Sequence, residues 1–313
     1  MKRLSLSFVA FWLLLTPALA GETGVELTLD DATLHGTLLA ADNARAMAII
    51  IAGSGPTDRD GNSALLPGAN NSLKLVAETL ADNRVSSIRY DKRMIGESRI
   101  PGLAETHLRF DHYVADAAAW AAFAAEQYGL PVYLVGHSEG AQIAMVAAAH
   151  NKYAGVILLA GPGQHPADLI ESQLAAQLPA PMMQQARETL AALRNGQTVD
   201  NPPPMLASLF RASVQPYIIS WFQYDPATTM AQVEEPALLV YGTTDIQVPV
   251  SDASLLTTAN TKAEVVIIEG MNHVLKAVSA DRGAQQSSYS DPSLPLHPDL
   301  VEALVGYIAD IDR

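Results

Sequence analysis

Six short apolar runs constrain the fold of this chain more than any other feature of its sequence. Each run is bounded by turn-forming residues and is too short for a typical buried helix. Strands that are apolar on both faces are typical of the centre of a parallel sheet covered by helices. The runs therefore predict a mainly parallel sheet. They are AMAIIIAG (46–53), VSSIRYD (85–91), PVYLVG (131–136), GVILLAG (155–161), PALLVYG (236–242) and AEVVIIEG (263–270).

Helical patterns separate these runs, and an antiparallel pair precedes them. The stretch GVELTLDDATLHGTLLAA has two alternating segments around Asp30 and Asp31, which predicts a β-hairpin. Strands that alternate with helices after such a start predict an α/β fold, and right-handed crossovers place helices on both faces of the sheet. The helical patterns cover residues 72–83, 112–129, 141–151, 252–260 and 297–312.

Two segments interrupt this alternation. Residues 162–232 contain helical patterns but no convincing strand, and an insertion of this length is too long for a plain crossover. We interpret it as a helical cap. Residues 281–298 are rich in Ser, Gly and Pro and predict a surface loop. The chain is thus interpreted as one α/β domain over residues 21–313, with a cap insert at about 162–232.

The first 20 residues have the pattern of a secretory signal peptide. The basic start MKR precedes an apolar segment (8–15), and the tripeptide ALA (18–20) fits a cleavage site. A membrane anchor is the alternative, but the apolar segment is shorter than the ~20 residues that a span needs. We therefore predict cleavage after Ala20, a periplasmic or secreted protein, and no membrane insertion after cleavage.

The charge of the chain limits its partners. Its formal net charge is −14, and loss of residues 1–20 makes it −16, because that segment holds two basic and no acidic residues. Such a surface disfavours nucleic acid and anionic membranes, whose phosphates attract clustered Lys and Arg. We therefore expect a small-molecule substrate. The chain has no cysteine, which excludes disulfides and a lipid anchor on cysteine.

The stretch LVGHSEGAQIAM contains the motif G-x-S-x-G at Gly136, Ser138 and Gly140. Alone, this motif is a weak signal, and a serine that merely caps a helix is the alternative interpretation. Here the motif follows a predicted strand and opens a predicted helix, as a nucleophile elbow requires. Such a turn presents the hydroxyl beside free N–H groups of a helix N-terminus, which stabilise a developing oxyanion. We therefore predict that Ser138 is a nucleophile.

A nucleophilic serine needs a base, and the base needs an orienting carboxylate, in the chain order Ser, acid, His. His273 follows the last predicted strand, at the edge where ligand sites of open α/β sheets gather, so it is the predicted base. Asp245 follows the preceding strand and is the predicted acid, whereas its rival Asp252 is interpreted as a helix N-cap. The other downstream histidines are His150 on the elbow's own predicted helix, about three turns from Ser138, His165 at the start of the cap and His297, interpreted as a surface residue.

Two backbone N–H groups are predicted to form an oxyanion hole. One belongs to Glu139, the residue after the nucleophile. The other belongs to Ser54, in the loop AGSGPTDRDGN (52–62), whose glycines let the backbone approach a substrate. A phosphate-binding loop is the alternative, but neither G-x-x-x-x-G-K-[ST] nor G-x-G-x-x-G occurs, so we expect no cofactor.

Charged side chains near these groups have competing interpretations. Asp58 and Asp60 allow metal binding or acid–base work, but Arg59 between them favours ion pairs that fix the loop, so we expect no metal. The Glu139 carboxylate either contacts a substrate amine or water, or is a first-turn acid favoured by the helix dipole.

Five segments together resemble the bacterial α/β-hydrolase esterases near the dienelactone-hydrolase and prolyl-oligopeptidase-like branch. They are GSGPTDRDGN, RYDKRMIGES (89–98), GHSEG, YGTTDIQVP and GMNHVLK. The similarity covers roughly residues 25–313 and implies an α/β-hydrolase fold and a carboxylesterase acting on short acyl esters. The relatives usually carry His where this chain has Ala52 and commonly Gly where it has Met94. These departures imply a looser oxyanion loop and a narrower turn near the site.

The predicted function is a serine esterase with Ser138, Asp245 and His273 as its triad. Met94, Trp221 and Phe222 are the predicted substrate-binding residues, although apolar residues of a cap also pack it onto the core. The same machinery in other proteins cleaves peptides or thioesters or transfers acyl groups, and the fold does not choose among these reactions. A catalytically silent binding module is the alternative outside enzymes.

Overall fold

The structure, a computed structural model, describes residues 21–202 and 204–310, so the predicted signal peptide (1–20) lies outside the described residues. All six apolar runs form strands, as predicted. The strands are β1 (Glu22–Thr28), β2 (Thr33–Leu39), β3 (Ala46–Ile51), β4 (Val85–Tyr90), β5 (Val132–His137), β6 (Gly155–Leu159), β7 (Ala237–Gly242) and β8 (Glu264–Ile268). They form one eight-stranded sheet in the order β1-β2-β4-β3-β5-β6-β7-β8.

The sheet joins an antiparallel end to a parallel body. The predicted hairpin is confirmed, because β1 and β2 pair antiparallel from Glu22 opposite Leu39 to Thr28 opposite Thr33. β2 then pairs antiparallel with β4, and the six strands from β4 to β8 are parallel. The chain runs from β3 outward to β4 and then back to β5 on the other side of β3. Ligand sites gather at such a reversal, outside the carboxyl ends of the strands.

Alternate residues of the central strands pack into two separate cores. Ile49 of β3 and Leu134 of β5 belong to one core, and their neighbours Ile50 and Val135 belong to the other. Successive side chains of a strand point to opposite faces of the sheet, so strands buried on both faces must be apolar at every position. This is the reason that the runs lack alternation.

Helices supply the other half of each core. The first core includes side chains of the helices that precede and follow β5, and the second includes side chains of the first and last helices. No helix among the described residues is long and apolar enough to cross a membrane. The helices are α1 (Ser72–Asp82), α2 (Phe110–Tyr128), α3 (Glu139–Ala148), α4 (Pro166–Ala175), α5 (Ala180–Arg194), α6 (Ala207–Phe210), α7 (Gln215–Trp221), α8 (Pro226–Met230), α9 (Ser251–Ala259), α10 (Arg282–Ser288) and α11 (Pro298–Asp310).

The long segment between β6 and β7 is helical, as predicted. It contributes α4 to α8 and no strand within its described residues. It contacts the helix that follows the elbow, because the Trp221 indole N–H donates to the Gln142 Oε1 at 2.8 Å and the Gln142 Nε2 donates to the carbonyl of Tyr224 at 2.9 Å. The segment is therefore hydrogen-bonded to the body of the domain at α3.

The prediction of a surface loop over residues 281–298 was wrong in two respects. The segment contains α10, which Asp281 caps by accepting a hydrogen bond from the Ala284 N–H at 2.9 Å. Gln285 and Ser288 on this helix are buried. His297, predicted on the surface, is also buried, and its Nδ1 accepts a hydrogen bond from the Asp299 N–H at 3.2 Å. Polar side chains that find partners in the tertiary structure leave no apolar pattern in the sequence.

The interpretation of Asp252 as an N-cap was also wrong. α9 begins at Ser251, so Asp252 lies within its first turn, where it is almost fully buried. Its carboxylate accepts hydrogen bonds from the Gly163 N–H at 2.8 Å and from the Gln164 Nε2 at 3.0 Å. Asp252 therefore holds the start of the segment that leaves β6.

Candidate active site

Ser138 is the single residue between β5 and α3, and its backbone is strained. Its φ of 56° and ψ of −121° lie in a region that non-glycine residues rarely occupy. The flanking glycines make this turn possible. A Cβ on Gly136 would lie 2.2 Å from the carbonyl oxygen of Gly140, and a Cβ on Gly140 would lie 2.2 Å from that of Ile51. The G-x-S-x-G segment thus has the tight strand-to-helix geometry of a nucleophile elbow.

Asp245 and His273 meet at the carboxyl ends of β7 and β8. The Nδ1 of His273 lies 2.8 Å from the Oδ2 of Asp245, and both side chains are at most 5% exposed. The other carboxylate oxygen accepts the N–H groups of Gln247 and Val248 at 2.7 and 2.9 Å. Burial raises the pKa of Asp245, but His273 and these N–H groups outweigh that effect and lower the pKa overall. The carboxylate is therefore held in its ionised form and fixes the imidazole through Nδ1.

His137 connects this pair to the elbow. Its Nε2 lies 2.8 Å from the backbone oxygen of His273, and the two imidazole centroids are 4.8 Å apart. Burial, and secondly the neighbouring His273, lower the pKa of His137 to about 3. The neutral ring thus donates its Nε2–H to that carbonyl. Sequence reasoning missed this contact, although His137 stands beside Ser138 in the motif.

The loop after β3 passes directly beside Ser138, as its predicted role requires. A Cβ on Gly53 would lie 3.2 Å from the Cβ of Ser138. Ser54 is exposed, and its carbonyl accepts a hydrogen bond from the Thr57 hydroxyl at 2.8 Å. The N–H of Glu139 is in the first turn of α3, where a helix offers no intrahelical acceptor. Gly53, which precedes one predicted donor, and Glu139, which carries the other, thus both lie beside Ser138.

The charged residues of this loop form ion pairs, as predicted, but with partners outside it. Arg59 lies 2.7 Å from the carboxylate of Asp91, and Asp60 lies 2.7 Å from the Nε of Arg89. Asp58 instead accepts the N–H groups of two residues of its own loop. In the part of the chain that the structure describes, no three His, Cys, Asp or Glu side chains are grouped to hold a metal ion.

The Glu139 carboxylate lies in the first turn of α3, as one of its two interpretations holds, but it is also buried and has partners that neither interpretation predicted. It is 3% exposed, it accepts a hydrogen bond from the Tyr217 hydroxyl, and it lies 3.7 Å from the Nζ of Lys92. Lys92 is 1% exposed and donates to the carbonyl of Gly53 at 2.6 Å. Burial lowers the pKa of the Lys92 ammonium, and the Glu139 carboxylate opposes this shift. Nothing in the sequence pattern indicated that Lys92 and Tyr217 surround Glu139.

The three predicted substrate-binding residues lie in different surroundings. Met94 has a φ of 70°, a conformation that favours glycine, and is half-buried on a cavity of about 400 Å³ between loop 56–68 and turn 94–99. Trp221 and Phe222 are buried in the first core, and the Trp221 ring stacks on Phe110 with centroids 6.2 Å apart. Their contacts favour the alternative interpretation, in which they pack the cap onto the domain.

Comparisons with known structures identify the fold. The Est1E protein of Butyrivibrio proteoclasticus, solved with bound ferulic acid, is 18% identical, with a TM-score of 0.60 over 91% of this chain and 99% of its own. A proline iminopeptidase of Mycobacterium smegmatis is 13% identical, with a TM-score of 0.60 over 93% of this chain and 99% of its own. At such identities the likeness shows the fold alone, which is the predicted α/β-hydrolase fold.

Comparisons of sequence identify the family. Esterase EstD of Thermotoga maritima is 25% identical over 232 residues, which are 72% of this chain and 54% of that protein. The chain thus spans about half the length of this relative. The branch predicted from the five segments stays a prediction. The profile of the Hydrolase_4 family, described as serine aminopeptidase, S33, matches residues 69–277, more than half of the chain. The chain therefore belongs to this serine aminopeptidase S33 family of α/β-hydrolases.

Proposed function

We propose that the protein is a serine hydrolase that cleaves carboxylic esters with short acyl groups through an acyl-enzyme intermediate. Ser138 is the nucleophile, His273 the general base and Asp245 the carboxylate that orients it. The hydrogen bond of 2.8 Å between Asp245 and His273, beside a strained elbow that carries Ser138, is the observation on which this proposal rests. Unrelated hydrolases use the same three groups in the same order of contacts.

The first half of the reaction follows from the bonds that His273 makes. Its Nδ1–H is committed to Asp245, so its Nε2 is the atom that takes the hydroxyl proton of Ser138 as the oxygen attacks the ester carbonyl. Asp245 stabilises the imidazolium that forms. The carbonyl oxygen becomes an oxyanion, which accepts hydrogen bonds from the N–H groups of Glu139 and Ser54.

The tetrahedral intermediate collapses, the bond to the alcohol oxygen breaks, and His273 gives its proton to the departing alcohol. Loss of the alcohol completes the first half, and the second half repeats these steps with water. Water then loses a proton to His273 and attacks the acyl-enzyme. The acid leaves, and the proton returns to the Ser138 oxygen. Each half returns its proton within the site, and water is the only reactant besides the ester.

Two observations favour an ester over a peptide with a free amino terminus. EstD carries the name of an esterase, and Est1E was solved with ferulic acid, an aromatic carboxylic acid. In addition, the Glu139 carboxylate, for which contact with a substrate amine was one of two interpretations, is already bound by Tyr217 and paired with Lys92. The family description favours an aminopeptidase as the second candidate.

The test compares Ser138→Ala with Ser172→Ala, a variant of a cap serine whose hydroxyl bonds the Leu169 carbonyl. We expect wild type and Ser172→Ala to hydrolyse p-nitrophenyl acetate and to bind one fluorophosphonate per chain, and Ser138→Ala to do neither. Undiminished turnover by Ser138→Ala would refute the assignment. Amino-acid p-nitroanilides, measured beside the ester, decide between the candidates, because faster anilide cleavage is the result expected of an aminopeptidase.

A further inference from the structure

Lys92 is a buried cation whose closest partner is a backbone carbonyl of the oxyanion loop. Its Nζ donates to the carbonyl of Gly53 at 2.6 Å, lies 3.7 Å from the Glu139 carboxylate and is 4.8 Å from the centroid of the Tyr113 ring. A lysine that is 1% exposed loses almost all of its hydration. Side chains buried at such a cost need defined partners, and here the closest partner is beside Ser138.

The bond to Gly53 fixes the direction of the next N–H group. Gly53 O and Ser54 N belong to one planar peptide unit, and in a trans unit the C=O and N–H bonds point in opposite directions. No peptide bond among the described residues is cis. Lys92 holds the carbonyl on its own side, so the Ser54 N–H must point away from Lys92. Glycine at position 53 has few conformational limits of its own, so this peptide unit would otherwise rotate readily.

Glu139 connects Lys92 to the second oxyanion donor. The residue offers its N–H at the start of α3, and its carboxylate lies 3.7 Å from Lys92. The same carboxylate accepts the hydroxyl of Tyr217, which α7 of the cap contributes. One buried group of side chains, Lys92, Glu139 and Tyr217, therefore borders both donors; we call it the elbow cluster.

We propose that Lys92 is a positioning residue of the oxyanion hole, which orients the Gly53–Ser54 peptide unit, and that Glu139 and Tyr217 hold Lys92 in place. The proposal rests on the proposed function. It gives the Glu139 carboxylate a role that does not involve contact with substrate. It also means that the cap supports the oxyanion hole, because Tyr217 belongs to the cap and holds Glu139.

The principal test is Lys92→Met, which keeps an unbranched side chain, one atom shorter, and removes its charge. We expect kcat/KM for p-nitrophenyl acetate to fall about 10- to 100-fold, less than the 10²- to 10³-fold loss typical when an oxyanion donor is removed. KM should change less than about twofold, because the oxyanion exists in the transition state. The Kd of a trifluoromethyl ketone, which forms a tetrahedral oxyanion on the nucleophile, should rise by the same factor as kcat/KM falls.

Arg93→Met is the matched control, since Arg93 is the adjacent buried cation but pairs with Asp31 and Asp116 instead. Fluorophosphonate stoichiometry measures the fraction of competent sites in every variant, so a loss of folded protein is not read as a loss of catalysis. The double variant Lys92→Met/Glu139→Gln removes both charges and should keep the loss of inhibitor affinity. If Lys92→Met does not fold, Tyr217→Phe provides the test, with an expected fall in kcat/KM of about 3- to 10-fold.

The outcomes separate this proposal from the proposed function. Wild type that turns over, with a Ser138→Ala variant that does not, supports the function whatever Lys92 does. In that case, a kcat/KM of Lys92→Met within about twofold of wild type would overturn the positioning role. An unchanged Kd for the ketone beside a reduced kcat/KM would also overturn it, because the defect would then lie outside the oxyanion hole.

Discussion

Two buried cations follow one another at the end of β4, and their surroundings differ. Arg93 donates five hydrogen bonds of 2.6–3.1 Å to the carboxylates of Asp31 and Asp116, which we call the hairpin cluster. Lys92 has a single close bond, to a carbonyl, and a carboxylate at 3.7 Å. The hairpin cluster joins β4 to α2 and to the turn of the hairpin, whereas the elbow cluster borders Ser138.

The two clusters show that a buried charge in the same sheet can serve either stability or the geometry of the site. A guanidinium whose three nitrogens all donate to two carboxylates stabilises the packing of its elements, and loss of one partner leaves an uncompensated charge. An ammonium bound mainly to a peptide carbonyl contributes less to stability and instead sets the direction of that peptide unit. We therefore expect substitutions in the hairpin cluster to lower the free energy of unfolding, and substitutions near Ser138 to lower the rate of reaction.

The largest expected effect concerns the carboxylates, Asp245 beside the elbow and Asp116 in the hairpin cluster. Asp245→Asn should reduce kcat/KM for p-nitrophenyl acetate about 10⁴-fold, because an amide no longer stabilises the imidazolium or its tautomer. Asp116→Asn should leave kcat/KM of the folded enzyme within about threefold of wild type. Steady-state kinetics normalised to the folded fraction from circular dichroism measure both. Equal losses of kcat/KM in the two variants would contradict the comparison.

The second effect is on stability. Arg93→Met leaves Asp116, which is fully buried, without its cation, and should lower the free energy of unfolding by about 3 kcal/mol. Its kcat/KM should stay close to that of wild type. Urea unfolding followed by circular dichroism, with the kinetics measured at low urea, tests both statements. A variant of wild-type stability would show that the hairpin cluster does not stabilise the packing of β4 against α2.

The third effect depends on pH and concerns His137, which has a carbonyl as its partner and no carboxylate of its own. Its pKa falls from about 6.5 in the unfolded chain to about 3 in the fold. The unfolded chain therefore binds one more proton between these values, so stability is full above pH 6.5 and declines as the pH falls toward 3. The slope from this residue is at most about 1.4 kcal/mol per pH unit.

Urea unfolding of wild type and His137→Asn between pH 7 and pH 4 measures this contribution. We expect a shallower decline of the free energy of unfolding in the variant, by about one proton. Equal slopes of the free energy of unfolding against pH in wild type and His137→Asn would mean that burial against His273 does not hold His137 neutral. This prediction concerns the free energy of unfolding and not the rate of the reaction at Ser138.

Much of the fold could be predicted from the sequence, because the decisive patterns are local. A strand buried on both faces must be apolar at every position, so β3 and β5 can be recognised from runs of a few residues. The elbow was predictable for the same reason, since Gly136 and Gly140 are required by contacts within one turn and the adjoining strand. Ser138, Asp245 and His273 follow β5, β7 and β8, and the carboxyl ends of parallel strands lie at one edge of the sheet, so their common location was also predictable.

The tertiary structure alone decided which polar groups became partners. Tyr217 and Glu139 are 78 residues apart, and Lys92 and Gly53 are 39 apart. Such contacts leave no periodicity, because a buried polar residue is stabilised by its partner and not by its neighbours in the chain. For the same reason the sequence misled at Asp252, whose partners lie 88 and 89 residues away. The sequence determined the sheet and the position of Ser138, and the packing of distant segments determined what surrounds it.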